Sequence, residues 1–206
     1  MAESGPEAKH RRTVRSYVLR QGRLTDAQRK ALADLWPKYG IDPGRSVLNP
    51  AAVFGRTAPL VVEVGFGNGA ATWRMAKAEQ DTDFIGIEVH RPGVGRLLRK
   101  LESEGISNVR ITCTDAVEFI EERLPDGCLA GVRIWFPDPW PKKRHHKRRI
   151  VQSGFVESLA RKTAPGALLH IATDWQPYAE HILEVMAAAP RFENLSPAGD
   201  YCEKPA

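Results

Sequence analysis

The 206-residue sequence predicts an α/β fold: a doubly wound, mostly parallel sheet with helices on both faces. Three observations predict it. Short apolar runs at 60–64, 84–88, 109–112, 131–136 and 167–172 suit strands and are too short for helices. Amphipathic stretches at 70–79, 92–104, 115–123, 147–163 and 177–188 alternate with them. The first run passes directly into a glycine-rich turn, the arrangement of open parallel sheets that bind ligands beyond the carboxyl ends of their strands.

The elements follow in order. Residues 1–14 are small and charged, with few apolar side chains, and are expected to form a disordered basic tail. A helix is expected after Leu24, where Thr25 can cap its N-terminus and Gln28 completes a capping box. Leu32, Leu35 and Trp36 give that helix an apolar face. Gly40 to Pro59 reads as a connector, with Pro43, Gly44, Pro50 and Gly55 interrupting it. The alternating strands and helices then occupy 60–206. Pro92 suits the first turn of the second helix in this series and Gly105 its end. In the last helix, Ala179, Ile182, Leu183 and Met186 recur at helical spacing.

Composition narrows the classes. Hydrophobic residues make up 42% of the chain and there are five tryptophans, enough for a sizeable core. No apolar run approaches the roughly 20 residues that span a bilayer, so no membrane partner is expected. Met1 to Arg12 lacks the apolar stretch of a secretory signal. The three cysteines, Cys113, Cys128 and Cys202, have no metal-ligand spacing, so no metal is expected and reduced thiols in a cytoplasm are.

Charge is unevenly placed. Lys9, Arg11, Arg12, Arg15, Arg20 and Arg23 form one acid-free stretch, and Lys142, Lys143, Arg144, Lys147, Arg148 and Arg149 form another. Taking those twelve cations from a net charge of +5 leaves −7 on the rest. An acidic body with two basic foci is what local contact with phosphates requires, although a solvated tail and a solvated helix start would look alike.

The glycine turn lies in Val61-Val62-Glu63-Val64-Gly65-Phe66-Gly67-Asn68-Gly69-Ala70. Glycine lets the backbone turn sharply and come close to a ligand. Alone, Gly65-x-Gly67-x-x-Ala70 also fits a dinucleotide fingerprint, and Glu88 at the second strand's end suits a ribose hydroxyl in either case. Glu63 argues for a cationic ligand, because an acid there would repel a pyrophosphate. Asp115 closes the third strand; it can serve the ligand or cap the following helix.

The fourth strand ends in Ile134-Trp135-Phe136-Pro137-Asp138-Pro139-Trp140-Pro141, followed by the second basic run. Prolines at 137, 139 and 141 are expected to stiffen the loop and hold the residues between them extended. That places Asp138 beside the expected ligand site. Trp135, Phe136 and Trp140 offer rings on which a displaced base could stack, or ordinary core packing.

The pattern Glu63-x-Gly65-x-Gly67-x-Gly69 resembles the first motif of class I methyltransferases, which have a Rossmann-like fold and bind S-adenosylmethionine. Several segments together resemble the bacterial tRNA (guanine-N7)-methyltransferase family. They are Arg15-Ser16-Tyr17-Val18-Leu19-Arg20-Gln21-Gly22-Arg23, Gly86-Ile87-Glu88-Val89-His90, Phe136-Pro137-Asp138-Pro139-Trp140-Pro141-Lys142 with Arg144-His145-His146-Lys147-Arg148-Arg149, and Ala172-Thr173-Asp174-Trp175.

The resemblance implies transfer of a methyl group from S-adenosylmethionine to N7 of a guanine in tRNA, at position 46 of the variable loop. It implies cofactor contacts from Glu63, Gly65, Gly67, Gly69, Glu88, Asp115 and Asp138, with Asp138 catalytic. It makes Lys142 and Asp174 substrate contacts and the run Arg144, His145, His146, Lys147, Arg148 and Arg149 an RNA contact. Segment 15–59 would then be an RNA-contacting segment with a helix, and 60–206 the cofactor-binding domain. Lys142 as a solvated lysine and Asp174 as a structural acid are the plainer alternatives. The chemistry agrees: N7 has a free lone pair and no proton to remove, so a carboxylate that holds the guanine edge and stabilises its developing charge suffices. The loop is also similar to the Asp-Pro-Pro-aromatic loops of enzymes that methylate exocyclic amines. A non-catalytic RNA-binding protein on the same scaffold is the remaining alternative. Family members continue with a Thr-x-x-Glu motif and a final strand; this chain ends at Ala206, so its domain is expected to be incomplete there.

Overall fold

The computed structural model describes residues 15–17 and 22–202. The expected tail at 1–14, and Arg20 within 18–21, lie outside them. Among the described residues five strands form the sheet: β1 (Leu60–Val64), β2 (Asp83–Ile87), β3 (Val109–Thr112), β4 (Leu129–Trp135) and β5 (Thr163–Ala172). Their order is β3-β2-β1-β4-β5, and every neighbouring pair is parallel. All five residues of β1 and all five of β2 are buried. Strands covered on both faces read as nearly continuous apolar runs, which is why 60–64 and 84–88 stand out in the sequence despite Glu63 and Glu88.

Strand side chains alternate between faces, and the core divides accordingly. Val62, Val64, Ile85, Ile87, Val132 and Ile134 belong to one apolar cluster, together with residues of α6 (Ala116–Arg123), α7 (Ser153–Lys162) and α8 (Gln176–Ala187). Val61, Phe84, Val109 and Ile111 belong to the other, with residues of α1 (Asp26–Asp34), α4 (Ala70–Ala78) and α5 (Arg91–Ser103). Helices on both faces make the sheet doubly wound. The strand order reverses between β1 and β4, where a crevice opens at the strands' carboxyl ends.

The N-terminal helix has the expected capping box, with Thr25 and Gln28 each accepting from the other's backbone N–H. Such a cap is worth about 1 kcal/mol. The helix stops at Asp34, and a short helix α2 (Trp36–Tyr39) follows. The connector contains a further short helix, α3 (Pro50–Phe54), capped by Asn49. The Ile41 N–H donates to Ile111 O at 2.7 Å, so the connector covers the open edge of β3. Buried Arg123 secures it further by donating to the carbonyls of Asp42, Gly44 and Ser46.

One expected helix is shorter in the structure. The amphipathic stretch 147–163 contains the end of a 3-10 helix (Lys143–Arg148), an extended segment and then α7, which begins only at Ser153. Tertiary partners replace the helical hydrogen bonds. The Val151 N–H donates to the Tyr178 hydroxyl at 3.2 Å, and Val151 O lies 2.9 Å from His181 Nε2. Ile150 and Val151 are thereby drawn into the core.

Candidate functional site

A cavity of about 390 Å³ opens where the strand order reverses. Gly65 and Glu88 line it from the ends of β1 and β2, Thr114 and Ala116 from the end of β3, and Trp135 to Asp138 from the end of β4. Ser16 and Tyr17 from the N-terminal segment line it as well.

The glycine turn is shaped by Gly65, Gly67 and Gly69, with φ of 72°, 58° and 73°. These values lie in the left-handed region that other residues enter only at a cost. A Cβ on Gly65 or Gly67 would meet nothing within 4 Å, so open space adjoins the backbone there. Glu88 fixes the turn: its Oε2 accepts from the Gly67 N–H at 2.8 Å, and its Oε1 accepts from the Val89 and His90 N–H groups. Gly93 stands behind the turn, where an added Cβ would come 1.9 Å from Gly67 O.

Glu63 takes a different position from a wall residue. It points to the face covered by α4, only 4% exposed, while Val64 and Gly65 after it line the cavity. Burial pushes its carboxyl above the ordinary range; Thr72 and Arg133 act in the opposite sense. Thr72 nonetheless makes no hydrogen bond of ordinary geometry, and both Glu63 Oε2 and Thr72 Oγ1 are buried without a partner. Asp115 is the N-cap of α6, its Oδ1 accepting from the Val117 and Glu118 N–H groups. The helix-cap alternative therefore describes that oxygen, although Thr114 and Ala116 on either side reach the cavity.

The proline loop is more strained than its sequence suggests. Phe136 and Trp140 each precede a proline, yet have φ of 49° and 46° rather than the extended values expected. Each such residue costs about 1–3 kcal/mol and persists only where surrounding contacts hold it. The contacts are visible. The Phe136 N–H donates to Ala172 O at 2.8 Å and so continues the sheet, and the Trp140 indole donates to Ser16 O at 3.2 Å. Between them Asp138 is exposed at the rim of the cavity. The three rings differ in availability. Trp135 sits edge-on to His170, and Trp140 lies against His145 and Arg148, whereas Phe136 is 65% exposed at the cavity.

The basic run begins at the end of this loop. Lys142, Arg144 and Lys147 are exposed, and His145, His146 and Arg148 are half-buried. Partial desolvation, then the charges of Arg144, Arg148 and Lys142, lower the His145 pKa. Arg149 does not join them on the surface. It is 3% exposed, with its guanidinium turned inward toward Pro139 O and Pro177 O, so it stands apart from the exposed cations of the run expected to meet RNA. Neither Lys142 nor exposed Asp174 lines the cavity.

The sequence places Ser16 and Tyr17 only within an RNA-contacting segment, with no part in the cavity, and assigns Thr114 no role. Burial, and next the charge of Asp115, raise the Tyr17 pKa, which keeps the phenol protonated beside the cleft. Only the presence of Ser16 and Tyr17 in a motif hinted at them; their place over the cavity depends on the chain folding back across the sheet.

A family model described as "Putative methyltransferase" matches residues 57–206. A "tRNA (guanine-N(7)-)-methyltransferase" from Alcanivorax borkumensis is 55% identical over 194 residues, covering 94% of this chain and 81% of the relative. Proteins with the same name from Aeromonas hydrophila and Shewanella amazonensis are 51% and 52% identical, covering 97% and 99% of this chain and 84% and 86% of the relatives. Among solved structures, "Structure of an Antibiotic Related Methyltransferase" aligns with a TM-score of 0.51 at 18% identity, over 69% of this chain and 75% of that one, a likeness of fold.

Proposed function

This chain belongs to the tRNA (guanine-N(7)-)-methyltransferase family, and we propose that it transfers a methyl group from S-adenosylmethionine to N7 of a guanine in tRNA by placing Asp138 against the base. The observation that carries the reading is that Asp138 lines the same cavity as the glycine turn and Glu88. The donor set suits this cofactor. Open space beside Gly65 and Gly67 admits a ligand close to the backbone, and the carboxylates of Glu88 and Asp138 favour a cation without phosphate. Glu63, its pKa raised by burial and its Oε2 unpartnered, would be drawn toward its ionised form by a cation bound at the turn. The cofactor, when bound, supplies an electrophilic methyl group on a positively charged sulfonium.

The chain's residues then have separate tasks. Glu88 holds the turn in shape and offers its carboxylate to the ribose side of the cleft. Asp138 accepts hydrogen bonds from the guanine edge and stabilises the positive charge that grows on the base as N7 reacts. No group need remove a proton from N7. Phe136 provides the ring on which the displaced base stacks. Asp115 and Tyr17 flank the adenine side. Lys142, Arg144, His145, His146, Lys147 and Arg148 meet the RNA backbone, with segment 15–59 contributing from the other side and Asp174 approaching the base after it enters. A cytoplasmic location goes with such a substrate.

The test is nucleoside mass spectrometry of unmodified tRNA incubated with the protein and S-adenosylmethionine. N7-methylguanosine is the expected product, at position 46 when fragments are mapped. Methylation of an exocyclic amine, or no methylated nucleoside, would overturn the reading.

A further inference from the structure

Arg149 combines two properties that conflict for a residue in an RNA-contacting run: a permanent positive charge and near-complete burial. Its contacts explain the burial. Nε donates to Pro139 O at 2.9 Å, and Nη1 donates to Pro177 O at 3.3 Å. Nη2 lies 3.3 Å from His146 Nε2, and the guanidinium carbon stands 4.8 Å from the centroid of the Tyr178 ring. Burial pushes Tyr178 up to about 12, so the ring facing the cation stays neutral, and its hydroxyl accepts the Val151 N–H.

The two carbonyls belong to the segments that matter. Pro139 follows Asp138 directly, within the strained loop between Phe136 and Trp140. Pro177 lies in the first turn of α8, three residues after Asp174. A planar guanidinium has several donors in fixed directions, so it can hold two carbonyls at a set separation. A lysine ammonium, a point charge on a flexible stem, cannot impose the same geometry. Without that bridge only the Phe136 and Trp140 contacts at its two ends would hold the strained loop, and the Asp138 carboxylate between them would shift.

We infer that Arg149 is a positioning residue: its guanidinium clamps the Asp138 loop to the start of α8 and sets the Asp138 carboxylate at the cavity rim. The inference rests on the proposed catalytic role of Asp138. It separates Arg149 from its neighbours Lys147 and Arg148, which act through the RNA backbone.

The experiment compares Arg149→Lys, Asp138→Asn and the double variant. Turnover is expressed per cofactor-binding site, counted by calorimetric titration with S-adenosylmethionine, so that any unfolded fraction drops out. Misplacing a catalytic group by about 1 Å can cost roughly a hundredfold in rate. Arg149→Lys is therefore expected to lose about ten- to a hundredfold in kcat, while tRNA affinity and the salt dependence of binding stay within about twofold. The double variant is expected to be no slower than Asp138→Asn alone, because the clamp acts through that carboxylate. Wild-type turnover in Arg149→Lys would overturn the inference. So would weaker tRNA binding with a shallower salt slope, or a double variant slower by the product of both losses. Undiminished turnover in Asp138→Asn would instead remove the catalytic reading on which the inference stands.

Discussion

Glu88 Oε2 accepts the backbone N–H of Gly67 at 2.8 Å, so the acid that ends β2 shapes the glycine turn that leaves β1. The carboxylate has two tasks at once: it holds the protein backbone with both oxygens, Gly67 on one and Val89 and His90 on the other, and presents negative charge to the cleft. Removing it should therefore affect binding more than removing a free surface acid.

Glu88→Ala is expected to weaken S-adenosylmethionine binding by about ten- to a hundredfold, since hydrogen bonds to a charged group are worth about 1.5–3 kcal/mol. Calorimetric titration measures it. An affinity within twofold of wild type would show that the turn keeps its shape without this tether.

Asp138→Asn keeps the size of the side chain and removes its charge. Turnover should fall by about 10²–10³-fold, the usual loss when one preorganised electrostatic partner is removed, with tRNA affinity nearly intact. Single-turnover methylation and a tRNA binding assay separate the two quantities.

Neutralising Arg144 and Lys147 together should weaken tRNA binding and reduce the slope of log affinity against log salt by about one unit for each phosphate left without its cation. Both residues are exposed, so folding stability should hardly change. An unchanged slope would make this part of the run a solvated face.

Gly93→Ala adds a methyl group that would lie 1.9 Å from Gly67 O, a backbone atom that cannot swing aside. The helix start and the glycine turn must separate. A loss of about 1–3 kcal/mol in stability is expected, with weaker cofactor binding. Thermal unfolding with and without S-adenosylmethionine checks both effects.

The Glu63 carboxyl is raised, chiefly by burial. A group whose folded pKa lies above its unfolded one destabilises the fold as pH rises from the ordinary glutamate range through the raised value. Glu63→Gln should remove that loss, leaving stability flatter with pH across this window. A cationic ligand would favour the ionised form, so cofactor binding within the window should release a proton. The dependence of the calorimetric enthalpy on buffer reveals it, and no dependence would place Glu63 outside the ligand's field.

Four of the strands were legible because they are largely buried between two helical layers. β1 and β2, buried throughout, are written as nearly continuous apolar runs, interrupted by Glu63 and opened by Asp83. β5 is half-buried to exposed, and only its apolar second half marked it. Helix caps at Thr25 and Asp115, and the proline at the start of α5, were legible because a cap is a local bond between near neighbours. The helix boundary at 147 was not. Val151 is bonded to Tyr178 and His181, about 30 positions away, and those partners end the helical pattern without leaving a mark in the nearby residues.

Residue type and spacing alone therefore determined the sheet, the position of the glycine turn and the set of acids and cations around it. Those features depend on period, burial and backbone preference, which act over a few residues. Tertiary structure decided how each charged group is used: Glu63 under α4 rather than on the cavity wall, Arg149 inward rather than toward RNA, and Tyr17 over the cleft. A charge has no intrinsic direction along the chain. Its role is set by which distant carbonyls, rings and carboxylates the fold brings within a few ångströms of it, where desolvation and hydrogen bonding outweigh any local preference.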